Sequence, residues 1–278
     1  MNGMNQDAYL TARPVRLLAA GLGAMAVALG CAALGITGAG AAGAATAPAI
    51  ASITVHKIAL NTQNWSGSAG FGSRAPAWYK DSAGVIHLQG AATQISNTGT
   101  GANLIGTLPA SARPAANVFT IVHTFNGTYA DLAIDTGGNI SVINPRPPAV
   151  QDYNFLSLEG ISFRLKAAAN IDTIGPDWSQ FPGFGARVPA WFKDKSGIIH
   201  LEGAAGQIST GGPTPNLVAT LPPAAAPRST VYTVVHTFNG TYADLAIEPN
   251  GQIDVINPRP PAVQDYTFVS LEGITYRR

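Results

Sequence analysis

The stretch Asn117–Ile134, NVFTIVHTFNGTYADLAI, decides the fold class. Two runs rich in Val, Ile, Phe, Thr and Tyr flank Asn126-Gly127, the dipeptide that most strongly signals a β-hairpin because both residues tolerate positive φ. Neither run has the 3.6-residue period of an amphipathic helix. Nearly the same residues return at Val231–Ile247, VYTVVHTFNGTYADLAI, 113 positions further on.

That return is part of a longer repeat. INPRPPAVQDY stands unchanged at Ile143–Tyr153 and Ile256–Tyr266. At the same offset Trp65 matches Trp178, Trp78 matches Trp191, His87 matches His200, His123 matches His236 and Glu159 matches Glu272. No insertion or deletion separates Trp65–Arg164 from Trp178–Arg277, and most positions are identical. A unit of about 100 residues is large enough to close its own core, unlike the shorter repeats of solenoids. The expected organisation is a signal segment over 1–47, a lead-in over 48–64, a first module over 65–164, a linker over 165–177 and a second module over 178–278.

Within each copy the turn chemistry recurs. Asp81–Gly84 predicts a hairpin, followed by apolar Ile86 and Leu88 alternating with polar His87 and Gln89. Thr136–Gly138 predicts another, with Pro249-Asn250-Gly251 as its counterpart, and FLSLEGISFR at Phe155–Arg164 reads as a last strand. Short strands between turn signals imply an all-β protein: two tandem antiparallel β-sandwich or barrel modules after an N-terminal signal segment.

The N-terminus has a different chemistry. Arg13 and Arg16 precede a run, Leu17–Ala47, without a single charge and dominated by Ala, Gly, Leu and Val. A basic start, an apolar stretch and small residues at its end are the parts of a secretory signal, with cleavage fitting best after Ala44. A retained membrane anchor at the cell surface is the alternative, since the run is long enough to span a bilayer. Cys31, the sole cysteine, lies inside this run, so no disulfide is available to the modules. Removing residues 1–47 takes two of sixteen basic and one of fifteen acidic residues, leaving fourteen of each. Neutrality without a basic run argues against nucleic acid as a partner.

Candidate ligand-binding residues fall in two places. The proline stretch Asn144–Pro148 cannot be a central strand, since proline donates no ladder hydrogen bond. It is expected to be a stiff exposed loop in which Arg146 and Asp152 hydrogen-bond sugar hydroxyls and Tyr153 stacks on a pyranose, with Arg259, Asp265 and Tyr266 equivalent. A loop lying over a sheet edge, with Arg146 paired to Asp152, is the alternative. Trp78 and Trp191 are the second candidates, as stacking platforms; each adjoins an aromatic neighbour that must face the other way.

No H-x-H, H-E-x-x-H or C-x-x-C spacing occurs, so neither metal nor cofactor is expected. Ser157, His123 and Asp131 supply the residue types of a hydrolytic triad, but no G-x-S-x-G elbow accompanies them.

YKDSAGVIHLQG (Tyr79–Gly90), TLP (Thr107–Pro109), ARP (Ala112–Pro114), FNG (Phe125–Gly127) and SLEGISF (Ser157–Phe163) together resemble the C-terminal β-modules of phage tail-fibre and base-plate receptor-binding proteins. The second copy keeps FKDKSGIIHLEG, TLP and SLEGITY, so the resemblance spans nearly all of each repeat. It implies compact β-folds, commonly homo-oligomeric as trimers, that bind cell-surface saccharides. The reading it supports is a secreted, non-enzymatic protein that recognises a glycan or other cell-surface polymer through two equivalent modules. A secreted structural or self-assembling surface protein is the rival, and a hydrolase the third reading.

Overall fold

The structure is a computed structural model that describes residues 53–67, 70–125, 128–144, 153–166, 168–237, 241–257 and 267–278. In chain order the first module's strands are Val55–Lys57 (β1), Ala59–Leu60 (β2), Trp65–Ser66 (β3), Ala77–Lys80 (β4), Val85–Gln89 (β5), Ala91–Gln94 (β6), Leu104–Thr107 (β7), Val118–Thr124 (β8), Thr128–Ile134 (β9), Asn139–Asn144 (β10), Leu156–Ser157 (β11) and Ser162–Arg164 (β12). They form a four-stranded sheet, β1-β4-β5-β12, and an eight-stranded sheet, β2-β7-β10-β9-β8-β11-β6-β3, with antiparallel pairing throughout.

The order of the larger sheet dictates its shape. β2 and β3 are consecutive in sequence yet lie at opposite edges. Five residue steps from Leu60 to Trp65 reach at most about 18 Å. Seven strand spacings in a flat sheet would put the edges about 34 Å apart. The sheet therefore curls until its edges nearly meet, giving a barrel-like wall. The joining turn is held by Trp65 N–H donating to Asn61 O at 2.8 Å and Asn61 N–H to Ile105 O at 2.9 Å.

The second module repeats this plan. Its strands are Ala169–Asn170 (β13), Thr173–Ile174 (β14), Trp178–Ser179 (β15), Ala190–Lys193 (β16), Ile198–Glu202 (β17), Ala204–Gln207 (β18), Leu217–Thr220 (β19), Val231–Thr237 (β20), Thr241–Ile247 (β21), Gln252–Asn257 (β22), Val269–Ser270 (β23) and Thr275–Arg277 (β24). The order β14-β19-β22-β21-β20-β23-β18-β15 again puts consecutive strands at the two edges.

All three expected hairpins form, and the architecture is all-β, with a short 3₁₀ turn at Ala110–Ala112. Thr124 pairs with Thr128 to close the central hairpin, while Asn126 and Gly127 lie outside the described residues. Gly138 takes φ 86° at the β9–β10 turn, where its N–H donates to Asp135 O. The segment read as one last strand is two: Glu159-Gly160 breaks it, so that β11 joins the large sheet and β12 the small one. The lead-in and the linker also carry strands: β1 and β2 complete the first module, β13 and β14 the second. Strands of two or three residues are too short to leave a periodic signal.

Each module has its own core, one around Trp65, Trp78, Ile86, Leu132 and Leu156, the other around Trp178, Ile199, Leu201, Leu245 and Val269. A third, smaller cluster joins them: Phe119 of the first module packs with Ala204 and Phe268 of the second. Around it, His236 Nδ1 lies 3.0 Å from Asp131 Oδ1, both groups fully shielded from solvent. Ser270 Oγ donates to Phe119 O at 2.6 Å, and Asn117 donates its N–H to Gly185 O at 2.9 Å and its amide Nδ2 to Phe184 O at 2.8 Å.

Removing one partner of a buried charge-capable pair strands the other, which costs about 3–5 kcal/mol. Asp131→Ala is therefore expected to destabilise the chain by about that amount in urea unfolding. Asp244→Ala, the same residue in the other copy but only half-buried, is expected to cost under about 1 kcal/mol in dilute solution. A second expectation concerns the boundaries. Residues 53–166 should unfold cooperatively, whereas a fragment beginning at Trp65 lacks β1 and β2 and should show no cooperative thermal transition by circular dichroism.

Candidate functional site

Of the residues singled out in the sequence, Arg146, Asp152, Arg259, Asp265 and Tyr266 lie outside the described residues. Tyr153 is half-buried and turned toward the first core, its ring stacked on Trp65 at 6.2 Å and 18°. Burial, and then the nearby Asp131 charge, push its phenol up from the ordinary value.

Trp78 is 6% exposed and stacked on His56 at 4.5 Å, and Trp191 packs against the second core. The Trp78 indole is thus spent on packing, which corrects its reading as an exposed stacking platform, while Trp191 stays half-buried. The strand alternation that led there is right. What it leaves undetermined is which of the two adjacent rings turns inward.

Ser157, His123 and Asp131 share no hydrogen bond: Asp131 is taken by His236, and Ser157 Oγ accepts the N–H of Glu159. His87 and His200 each brace a hairpin turn, lying 2.9 Å from Asp81 and 3.2 Å from Asp194.

A recess sits at one end of the second module. Its volume is about 840 Å³, and Lys193, Arg228, Arg277 and Arg278 line it together with Ser196 and Asn250. All four cations are exposed, and no Asp or Glu side chain is in the lining. Three separate folding events gather them. The β16–β17 hairpin brings Lys193, the loop before β20 brings Arg228, and the end of β24 with the residue after it brings Arg277 and Arg278. Prolines at 223, 227 and 249 stiffen the walls.

The sequence held one signal for this recess, and it lay in the differences between the copies. Arg228 stands where the first copy has Ala115, and Arg278 where it has Leu165. At these two positions the second copy is cationic where the first is apolar.

A second polar group lies at the seam between modules. Arg187 Nη1 approaches Glu202 Oε1 at 2.6 Å, and Gly203 N–H donates to Glu272 Oε1 at 2.8 Å. Gly203 holds φ 85°, and a Cβ there would meet Val188 O at 2.1 Å, so the carboxylate braces a turn only glycine can make. From the first module, Arg164 lies 4.1 Å above the Phe192 ring, which stacks on His200 at 4.4 Å. Burial raises Glu202 despite Arg187. Glu272 is pushed up to about 8 by burial, with the Glu202 charge adding to it against the Gly203 N–H and Arg187.

No known protein family, no curated protein and no solved structure matches this chain.

The Glu272 shift sets a pH dependence. A carboxyl held above its ordinary 4.5 makes the folded state bind more protons than the unfolded one. The stability it contributes is complete below about 4.5 and is lost as pH rises through about 8. Glu272→Gln retains an oxygen for Gly203 and removes the titration. Thermal midpoints measured from pH 5 to pH 9 should fall less steeply for the variant than for the parent.

Proposed function

We propose that the chain is an exported, non-enzymatic binding protein for anionic cell-surface or extracellular glycans. The observation that carries this reading is the recess lined by Lys193, Arg228, Arg277 and Arg278 with no acidic side chain among them. Guanidinium forks match carboxylate, sulfate and phosphate oxygens, and exposed side chains on stiff walls can track a polymer without first being ordered. The reading agrees with the saccharide binding that the tail-fibre resemblance implies. It differs from two equivalent sites, because the first module has Ala115 and Leu165 where the second has Arg228 and Arg278.

The test is binding to immobilised heparin and polygalacturonate, with neutral dextran as the control. Binding to the two polyanions is expected, weakening as salt rises because exposed charges are screened. Lys193→Ala with Arg228→Ala removes two exposed contacts worth under about 1 kcal/mol each, so the affinity should fall about tenfold while the thermal midpoint stays put. Equal retention on dextran, or a double variant that binds as tightly as the parent, would show that the recess is not the site.

A further inference from the structure

The joint between the modules is directional, and the repeat leaves each of its halves open once. On the first module the donating surface is the start of β8, where Phe119 is 8% exposed; in the second module the same position is Tyr232, 71% exposed, with Val234 beside it at 47%. At the other end of the same strand the pattern reverses. His236 is 1% exposed in the second module, while its counterpart His123 is exposed. One strand, repeated, buries its beginning in one copy and its end in the other.

The surface around His123 is already shaped for that contact. His123 meets Phe155 at 5.9 Å and 62°; in the buried joint His236 meets Phe268 at 5.8 Å and 63°. Phe71 meets Phe155 at 5.8 Å and 86°, where Phe184 meets Phe268 at 6.0 Å and 81°. Phe71 is 70% exposed and sits at φ 52°, Phe184 at φ 55°, each between two glycines of positive φ. An exposed aromatic arrangement that repeats a buried one this closely needs little rearrangement to bind what the buried one binds.

We propose that the chain associates with itself head to tail. The Tyr232–Asp244 surface of one copy seats on the Phe71–His123–Phe155 surface of the next and repeats the internal joint, with Asp244 taking the place of Asp131 opposite His123. Arg277 then stands where Arg164 stands, opposite Tyr79 instead of Phe192. The surfaces are heterologous, so growth continues until a ring closes or a filament forms. Thr230 replaces Asn117 and loses the amide bond to the Phe184 carbonyl, so the joint between chains is weaker than the internal one.

Two complementary variants test this by sedimentation velocity and light scattering, on the full chain and on residues 51–278, which form one compact unit. The parent should show concentration-dependent species larger than a monomer. Tyr232→Glu disables the head and leaves the tail; Phe71→Glu, or His123→Glu should the first prove unstable, disables the tail and leaves the head. Each alone should be monomeric, and an equimolar mixture should form a one-to-one dimer and nothing larger. A parent that stays monomeric to about 1 mM overturns the proposal, since association is then worth less than about 4 kcal/mol. So does a single variant that self-associates like the parent, which would mean a like-to-like interface. A mixture that remains monomeric overturns it as well. Lys193→Ala with Arg228→Ala should assemble like the parent, which separates this proposal from glycan binding.

Discussion

A chain that sends consecutive strands to opposite edges of one sheet must roll that sheet up. The five steps from Leu60 to Trp65 impose this on the first module, and the connection from β14 to β15 imposes it on the second. Much else follows from the closure. The inward faces of β8, β9 and β10 converge on a single core, Trp65 is drawn inside with its Nε1 bonded to Ala102 O at 2.9 Å, and the four-stranded sheet covers what remains. A rolled sheet also exposes few free edges, which suits a protein without disulfides.

Closure makes the modules alike, and the joint makes them different. Identical residues at His123 and His236, or at Asp131 and Asp244, meet opposite surroundings because the contact runs one way. The same asymmetry shapes the seam, where Glu202 replaces Gln89 and meets Arg187. The cationic recess is asymmetric for another reason: two of its three arginines, Arg228 and Arg278, occur in one copy only. Duplication supplied two scaffolds, and substitution and position gave them different surfaces.

Fold class, module number and hairpin positions were legible because they rest on local chemistry: turn residues, β-branched runs and an offset that never slips. β1, β2, β13 and β14 were not legible, since strands of two or three residues have no period to read. Burial of Trp78 was half legible; alternation says one ring of the pair goes inside, and only the packing against His56 and the core says which. The recess was mostly hidden because its four cations come from three distant segments; only the Arg228 and Arg278 differences between the copies marked it. Nor could His236 be told from His123, because the repeat makes their neighbours in sequence the same.

The directional joint also bears on how such a gene can change length. An in-frame third copy, added by unequal recombination between the near-identical repeats, would arrive with one surface fitted to the module before it and one ready for the module after. Lengthening the array needs no new interface to evolve. Losing a copy, by the same token, leaves a module whose two ends still match each other's kind.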